Sequence, residues 1–242
     1  MVILSPHLDD AVFSCGHLLA THAGSTVVTV FAGMPGDPDL LCDWDAHCGF
    51  HSSQEAVTAR RQEDRQALAL LAARPVWLDF LDSQYGHSPS PRELADALQQ
   101  TLSELDPYEL AIPLGMFHAD HLLVHEAALL AIEGLPQLEQ VYLYEDVPYR
   151  GQPGLLQQRL SALATEGLLA TPQAEETLQP SSRKAAAVAA YASQVRALGP
   201  RSLDDLRRPE RLWRLEPPLH ARSGPVIEPL LQREPRWTPM RA

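Results

Sequence analysis

Short apolar, β-branched runs alternate with helix-patterned stretches along the first two-thirds of the chain, and this alternation constrains its fold most. Val2–Ser5, Ser25–Ala32, Val76–Leu81, Glu109–Leu114 and Gln140–Tyr144 read as strands. Ala11–His22, Ser53–Ala73, Pro91–Leu105 and His121–Ile132 read as helices, with Ser53 a plausible N-cap and Pro91 suited to a first turn. Strands separated by helices build a parallel sheet, so the prediction is an α/β, Rossmann-like fold with a mainly parallel sheet and helices on both faces. Gly33–Ser53, rich in Gly, Pro, Asp and His, reads as a long loop, a feature usually tied to function or disorder. Further on, Gly154–Ala164 and Ser182–Leu198 look helical, and the accumulation of Pro and Arg from Gly199 predicts an irregular C-terminal region. With 242 residues, 45% of them hydrophobic, residues 1–242 are expected to form one domain: an α/β core over 1–150 and a variable part over 151–242.

Charge narrows the partners. The formal net charge is -12, which argues against nucleic acid or an anionic membrane surface. No stretch approaches the ~20 apolar residues of a membrane span, and Met1–Leu4 is too short for a signal-peptide core, so a cytoplasmic protein is expected. The 3 cysteines do not make a disulfide framework. Cys42, His47, Cys48 and His51 invite a structural-zinc reading, but their spacing fits no common zinc knuckle and a loop near the active site is favoured. The first strand-to-helix turn carries no G-x-G-x-x-G, which sets a dinucleotide aside.

What that turn carries is His7-Leu8-Asp9-Asp10, and a second strand-to-helix junction carries His118-Ala119-Asp120-His121. In open parallel sheets ligands bind beyond the carboxyl ends of the strands, so two such turns from neighbouring strands face one crevice. Imidazole and carboxylate are the ligands zinc takes in hydrolases, three protein groups leaving a position for water, whose pKa the ion lowers to about 7. One tight turn aims His7 and Asp10 at one ion, and a histidine of the second motif completes the set. Asp9, a spare carboxylate between two ligands, is placed to act as general base. The other histidine of the second motif would donate to the oxyanion or the leaving amine, with Asp120 holding its tautomer, provided His118–Asp120 precede the helix.

Each residue also has a plainer reading. Asp9 or Asp10 would serve as an N-cap, and a lone His118 or His121 would be an ordinary polar loop residue. The two motifs in matching strand-end positions favour the metal. His125, one turn past His121, is an alternative ligand but is expected on the helix surface or behind the ligands. His17 and His22 read as structural.

These residues resemble the LmbE-like, or PIG-L, zinc de-N-acetylases, whose pattern is a Pro/Ala-His-Pro-Asp-Asp turn followed later by His-x-Asp-His. Leu8 stands where Pro is usual, at a position that supplies no ligand, and Ala11 stands where many members have Glu. The resemblance covers about residues 1–150 and leaves 151–242 as a family-variable part. It implies zinc, with Fe²⁺ or another divalent metal as alternatives, held by His7, Asp10 and His121. It implies Asp9 as base, His118 as oxyanion stabiliser or amine proton donor, and Asp120 orienting His118. Arg60-Arg61-Gln62-Glu63 is similar to the family's Arg-x-x-Glu helix, so Arg60 is a candidate for substrate contact or for a structural pair with Glu63. Asp82 is similar to a sugar-binding Asp, with a turn-forming Asp as the alternative. Tyr144-Glu145-Asp146 is expected to border the crevice, and Trp44 with the Cys42–His51 loop to form a lid. The implied activity is removal of an N-acetyl group from an amino sugar or its conjugate. Alternatives are an amidase of a larger acyl or thiol-sugar conjugate and a non-catalytic metal- or sugar-binding protein. The implied partner is a small N-acetylated amino sugar, with a homo-oligomer possible.

Overall fold

Successive side chains of a strand point to opposite faces of a sheet. Val2 and Leu4 accordingly enter one buried apolar cluster and Ile3 the other. The structure, a computed structural model, describes residues 1–86, 88–173 and 182–216. Its strands are β1 (Val2–Ser5), β2 (Thr26–Thr29), β3 (Arg74–Trp77), β4 (Glu109–Pro113), β5 (Gln140–Tyr144), β6 (Leu169–Pro172) and β7 (Leu212–Glu216). They form one sheet in the order β3-β2-β1-β4-β5-β7-β6. Strands β1 to β5 pair in parallel, and β7 joins antiparallel to both β5 and β6.

The helices are α1 (Asp10–Thr21), α2 (Asp43–His47), α3 (Ser53–Leu70), α4 (Pro91–Leu105), α5 (Ala119–Ile132), α6 (Leu155–Thr165), α7 (Ser182–Ala190) and α8 (Ala192–Leu206). Helices α4 and α5 pack on one face of the sheet, and α1, α3 and α7 on the other. The expected α/β fold with helices on both faces is therefore present. Ser90 and Glu93 close a reciprocal capping box at α4, and Ser52, one residue before the expected cap, accepts from Glu55 N–H at α3.

The order reverses between β1 and β4: the chain leaves β1 towards β2 and β3, then returns to β1's other side. That crevice, at the carboxyl ends of β1 and β4, is the topological switch point where doubly wound sheets take ligands.

Several expectations need correction. The C-terminal region is only partly irregular where the structure describes it: α8 breaks at Gly199 (φ 72°, ψ 175°) but resumes beyond it, and β7 is inserted between β5 and β6. Its remaining part, from residue 217 onward, lies outside the described residues. The single helix expected over Ser182–Leu198 is two, divided at Tyr191. The 33–53 loop contains α2. Helix α1 breaks at Cys15 (φ -133°, ψ 20°). At that break Lys184 Nζ donates to the Phe13 carbonyl (3.0 Å) and pairs with Glu210 (2.5 Å), and Glu210 accepts from the His17 and Leu18 N–H groups (2.7 and 3.1 Å). Gly16 makes room for this clasp, since a Cβ there would lie 2.7 Å from Lys184 Cγ. Among the described residues no helix is long and apolar enough to cross a membrane.

Candidate metal centre

Both motifs arrive where the strand-end rule places them. Ser5 ends β1, and its hydroxyl bonds the His7 carbonyl (2.6 Å) and accepts from Ala11 N–H (2.9 Å), tightening the turn that leads into α1. Asp9 occupies the N-cap position of α1 but makes no side-chain capping bond, so capping does not account for its carboxylate. Asp10 turns back and accepts from His7 N–H at 2.9 Å. After β4, His118 is the N-cap of α5, which starts two residues earlier than expected and puts Asp120 and His121 in its first turn.

His7, Asp10 and His121 each bring one ligand atom into a group whose members lie within 4.8 Å of one another. One oxygen, Asp10 Oδ2, lies 3.1 Å from His7 Nδ1 and 3.2 Å from His121 Nε2. The far nitrogens are already held by carboxylates: His7 Nε2 is 3.0 Å from Asp120 Oδ2, and His121 Nδ1 is 2.7 Å from Asp146 Oδ1. A neutral imidazole has one proton to give, and each of these rings faces a carboxylate at both nitrogens. If the proton goes outward to Asp120 or Asp146, the inner lone pair opposes Asp10 Oδ2, an arrangement that extra protons or a metal cation relieves. His121 Nε2 is buried and has no hydrogen-bond partner among the described residues. The donor set of two imidazoles and a carboxylate suits Zn²⁺ or Fe²⁺.

A second group, His7, His118 and Asp120, meets the same distance condition. Its facing atoms are occupied, because His7 Nε2 bonds Asp120 and His118 Nδ1 accepts from Asp120 N–H at 3.2 Å.

Electrostatics follow from this crowding. Burial alone would lower the His121 pKa, but Asp10 and Asp146 raise it to about 9. His7 goes well above its usual value for the same reason: burial opposes, while Asp82, Asp10 and Asp120 prevail. Asp10 is lowered well below the carboxylate range, with burial outweighed by His121 and His7. Burial, reinforced by neighbouring Asp10, lifts Asp9 to about 7, with Arg60 opposing. His118 is lowered by burial and then by the charges of His7 and His121.

Asp120 does not orient His118 through its carboxylate as expected. That carboxylate is 4.0 Å from His118 Nδ1 and serves His7 instead, because α5 starts at Ala119 and offers His118 the Asp120 N–H. Arg60 is buried on α3 and approaches Asp82 (3.9 Å), which is 3.8 Å from His7 Nε2. Asp82 also makes the turn its residue type allows, accepting from Gln84 N–H. Glu63 does not pair with Arg60 among the described residues but holds Ser193 of α8. His125 is fully buried rather than on the surface, its Nδ1 on the Pro113 carbonyl (2.8 Å). In the 42–51 loop the Trp44 indole donates to Gln194 of α8, Cys42 donates to the Gln84 carbonyl, and Cys48 accepts from Gln194. These ties fasten the loop to α8 and to the turn after Asp82, and none of the four candidate zinc residues belongs to a metal-capable group among the described residues. Asp146 has a sharper role than bordering the crevice: it fixes His121 and also accepts from Met116 N–H (2.9 Å). Its strand-end position after β5 was the available signal. Tyr149, against both His118 and His121, had no signal in the sequence.

The family profile described as GlcNAc-PI de-N-acetylase (PIG-L) matches residues 2–132. The chain belongs to the PIG-L family. As a PIG-L protein with deacetylases for structural neighbours, it is a hydrolytic N-deacetylase. No curated protein is significantly similar to it in sequence. Among solved structures it is similar to a deacetylase of the teicoplanin biosynthesis pathway (28% identity, TM-score 0.71, 88% of this chain and 96% of that one). It is also similar to the zinc-inhibited form of the teicoplanin deacetylase Orf2 (26% identity, TM-score 0.70, 88% of this chain and 97% of that one). The A40926 pseudoaglycone deacetylase is similar to the same degree (27%, TM-score 0.70, 88% and 96%). The N,N'-diacetylchitobiose deacetylase of Pyrococcus horikoshii shares the fold at 19% identity (TM-score 0.56, 93% and 86%).

Proposed function

We propose that this PIG-L protein removes the N-acetyl group of an amino sugar or amino-sugar conjugate with a divalent cation held by His7, Asp10 and His121. The observation that carries this reading is the single Asp10 oxygen facing two imidazole nitrogens whose opposite nitrogens are held by carboxylates. When bound there, Zn²⁺ or Fe²⁺ supplies Lewis-acid activation of water and of the amide carbonyl.

The chain's own residues do the rest. Asp9, raised to about 7 and free of capping duty, takes a proton from the attacking water near neutral pH and returns it to the departing amine. His118 accepts the Asp120 N–H at Nδ1, so its neutral ring carries the proton on Nε2. Its lowered pKa keeps it neutral, so it donates a hydrogen bond to the developing oxyanion rather than a proton to the amine. Asp120 and Asp146 fix the tautomers of His7 and His121. Arg60 and Asp82 supply charged groups for sugar hydroxyls beside Asp9. The teicoplanin bound to one structural neighbour and the diacetylchitobiose in the name of another support a sugar conjugate as the substrate class.

The test is acetate release from a panel of N-acetyl amino sugars and their glycosides, with metal content measured on the same sample. The expected result is turnover that chelation abolishes and one divalent metal restores. A metal-loaded protein inert across the panel would overturn the reading.

A further inference from the structure

The catalytic crevice has two unlike walls. On the His7 side stand Arg60 and Asp82, within 4 Å of each other or of His7. On the His118 side stand two aromatic rings. Tyr149 is nearly parallel to the His118 ring (centroids 6.2 Å apart, 19° between planes) and meets His121 edge-on (5.3 Å, 80°). Phe117 packs against Tyr149 (5.3 Å, 36°) and is 53% exposed, among the most exposed large apolar side chains described.

Phe117 is where it is at a conformational cost. Its φ is +62°, a region that bulky residues avoid. The flanking His118 N–H donates to the Met116 carbonyl (2.7 Å), closing a three-residue turn of the strained hand around it. Packing does not explain the choice of residue, because the ring is exposed and glycine would take this turn without strain. Strained residues gather at ligand sites, and this one precedes the proposed oxyanion donor. The two bonds fixing Met116, through Asp146 and through His118, hold the turn rigid.

We infer that Phe117 and Tyr149 form an apolar subsite, so that the substrate is an N-acylated amino sugar carrying an apolar substituent that lies on these two rings. The inference rests on the proposed amide-hydrolysis reading: an apolar aglycone narrows its substrate class, whereas a longer acyl chain takes the place of the acetyl group. The polar wall takes the sugar hydroxyls and the aromatic wall takes the substituent, whose burial on exposed rings favours binding. Two positions on the sugar would supply such a group: an aryl or alkyl aglycone, or an acyl chain longer than acetyl.

The test compares wild type with Phe117→Gly, which removes the ring while suiting the turn, and with Tyr149→Phe and Tyr149→Ser. Substrates are N-acetylglucosamine, its phenyl and octyl glycosides, and N-hexanoylglucosamine. Wild type is expected to prefer at least one apolar derivative by tenfold or more in kcat/KM, mainly through KM. Phe117→Gly and Tyr149→Ser should reduce that preference at least fivefold, whereas Tyr149→Phe should keep it. The derivative preferred tells aglycone from acyl chain. Calorimetric binding of octyl glucosaminide, a deacetylated product, is measured in parallel. A protein that hydrolyses nothing yet binds this glycoside, more weakly in Phe117→Gly, upholds the subsite and removes the deacetylase reading. Turnover with no apolar preference, or with a preference that both ring-removing variants leave within twofold of wild type, overturns the subsite and leaves the deacetylase reading standing.

Discussion

The chain buries charge at both ends of one stretch of α1, and the two clusters differ in whether their groups are satisfied. At the Cys15 break, Lys184, Glu210 and the freed backbone groups are matched donor to acceptor, with opposite charges 2.5 Å apart. At the helix's first turn the balance fails: carboxylates crowd two imidazoles, and the buried His121 Nε2 has no hydrogen-bond partner among the described residues. A buried ionic cluster that closes on itself holds structure together, whereas one left incomplete is prepared for a ligand.

Breaking each cluster should produce different kinds of damage. Asp9→Asn removes the proposed base without touching a proposed ligand. Turnover is expected to fall roughly 10²–10⁴-fold with metal content kept, and metal analysis beside single-turnover rates checks it. Lys184→Met leaves Glu210 buried without its partner and should cost roughly 3–5 kcal/mol of stability in denaturant unfolding. The folded fraction should keep its activity. Lost turnover in a fully folded sample would mean that the clasp also positions the crevice. Asp146→Asn takes the carboxylate from His121 and should weaken metal affinity roughly 10–100-fold, read by chelator competition.

A smaller effect separates two histidines one turn apart on α5. His125 is buried beside Arg159 and its pKa lies well below the usual value, with burial the larger cause. The unfolded chain therefore takes up the proton first, and His125 costs stability as pH falls below about 6.5, by up to ~1.4 kcal/mol per pH unit. His121 has the opposite sign. In the metal-free protein its folded value of about 9 gives stability that is present in full below about 6.5 and fades as pH rises towards 9. Replacing His125 by Asn, whose amide can still reach the Pro113 carbonyl, should flatten the acid limb of the wild-type minus variant difference. Parallel stability curves between pH 7.5 and 5 would contradict the assignment.

The parallel core and the strand-end location of the chemistry were legible because both follow from local periodicity: apolar runs of strand length, helical spacing between them, and polar motifs at the junctions. His7, Asp9, Asp10 and the His118–His121 run could be singled out on that basis. Strands β6 and β7 were not, because LATP and LWRLE have little strand character of their own and acquire it by pairing beyond β5. The partners of the imidazoles were also hidden. Asp120 serves His7 across 113 residues of sequence, and Asp146 reaches His121 from another strand end.

Sequence alone, then, decided which residue types meet at the switch point, since period and turn chemistry act over a few residues. Only the tertiary structure decided which nitrogen faces which oxygen, which carboxylate is left uncompensated, and which aromatic rings flank the crevice. Those outcomes depend on distances between segments far apart in the chain, which no local pattern encodes.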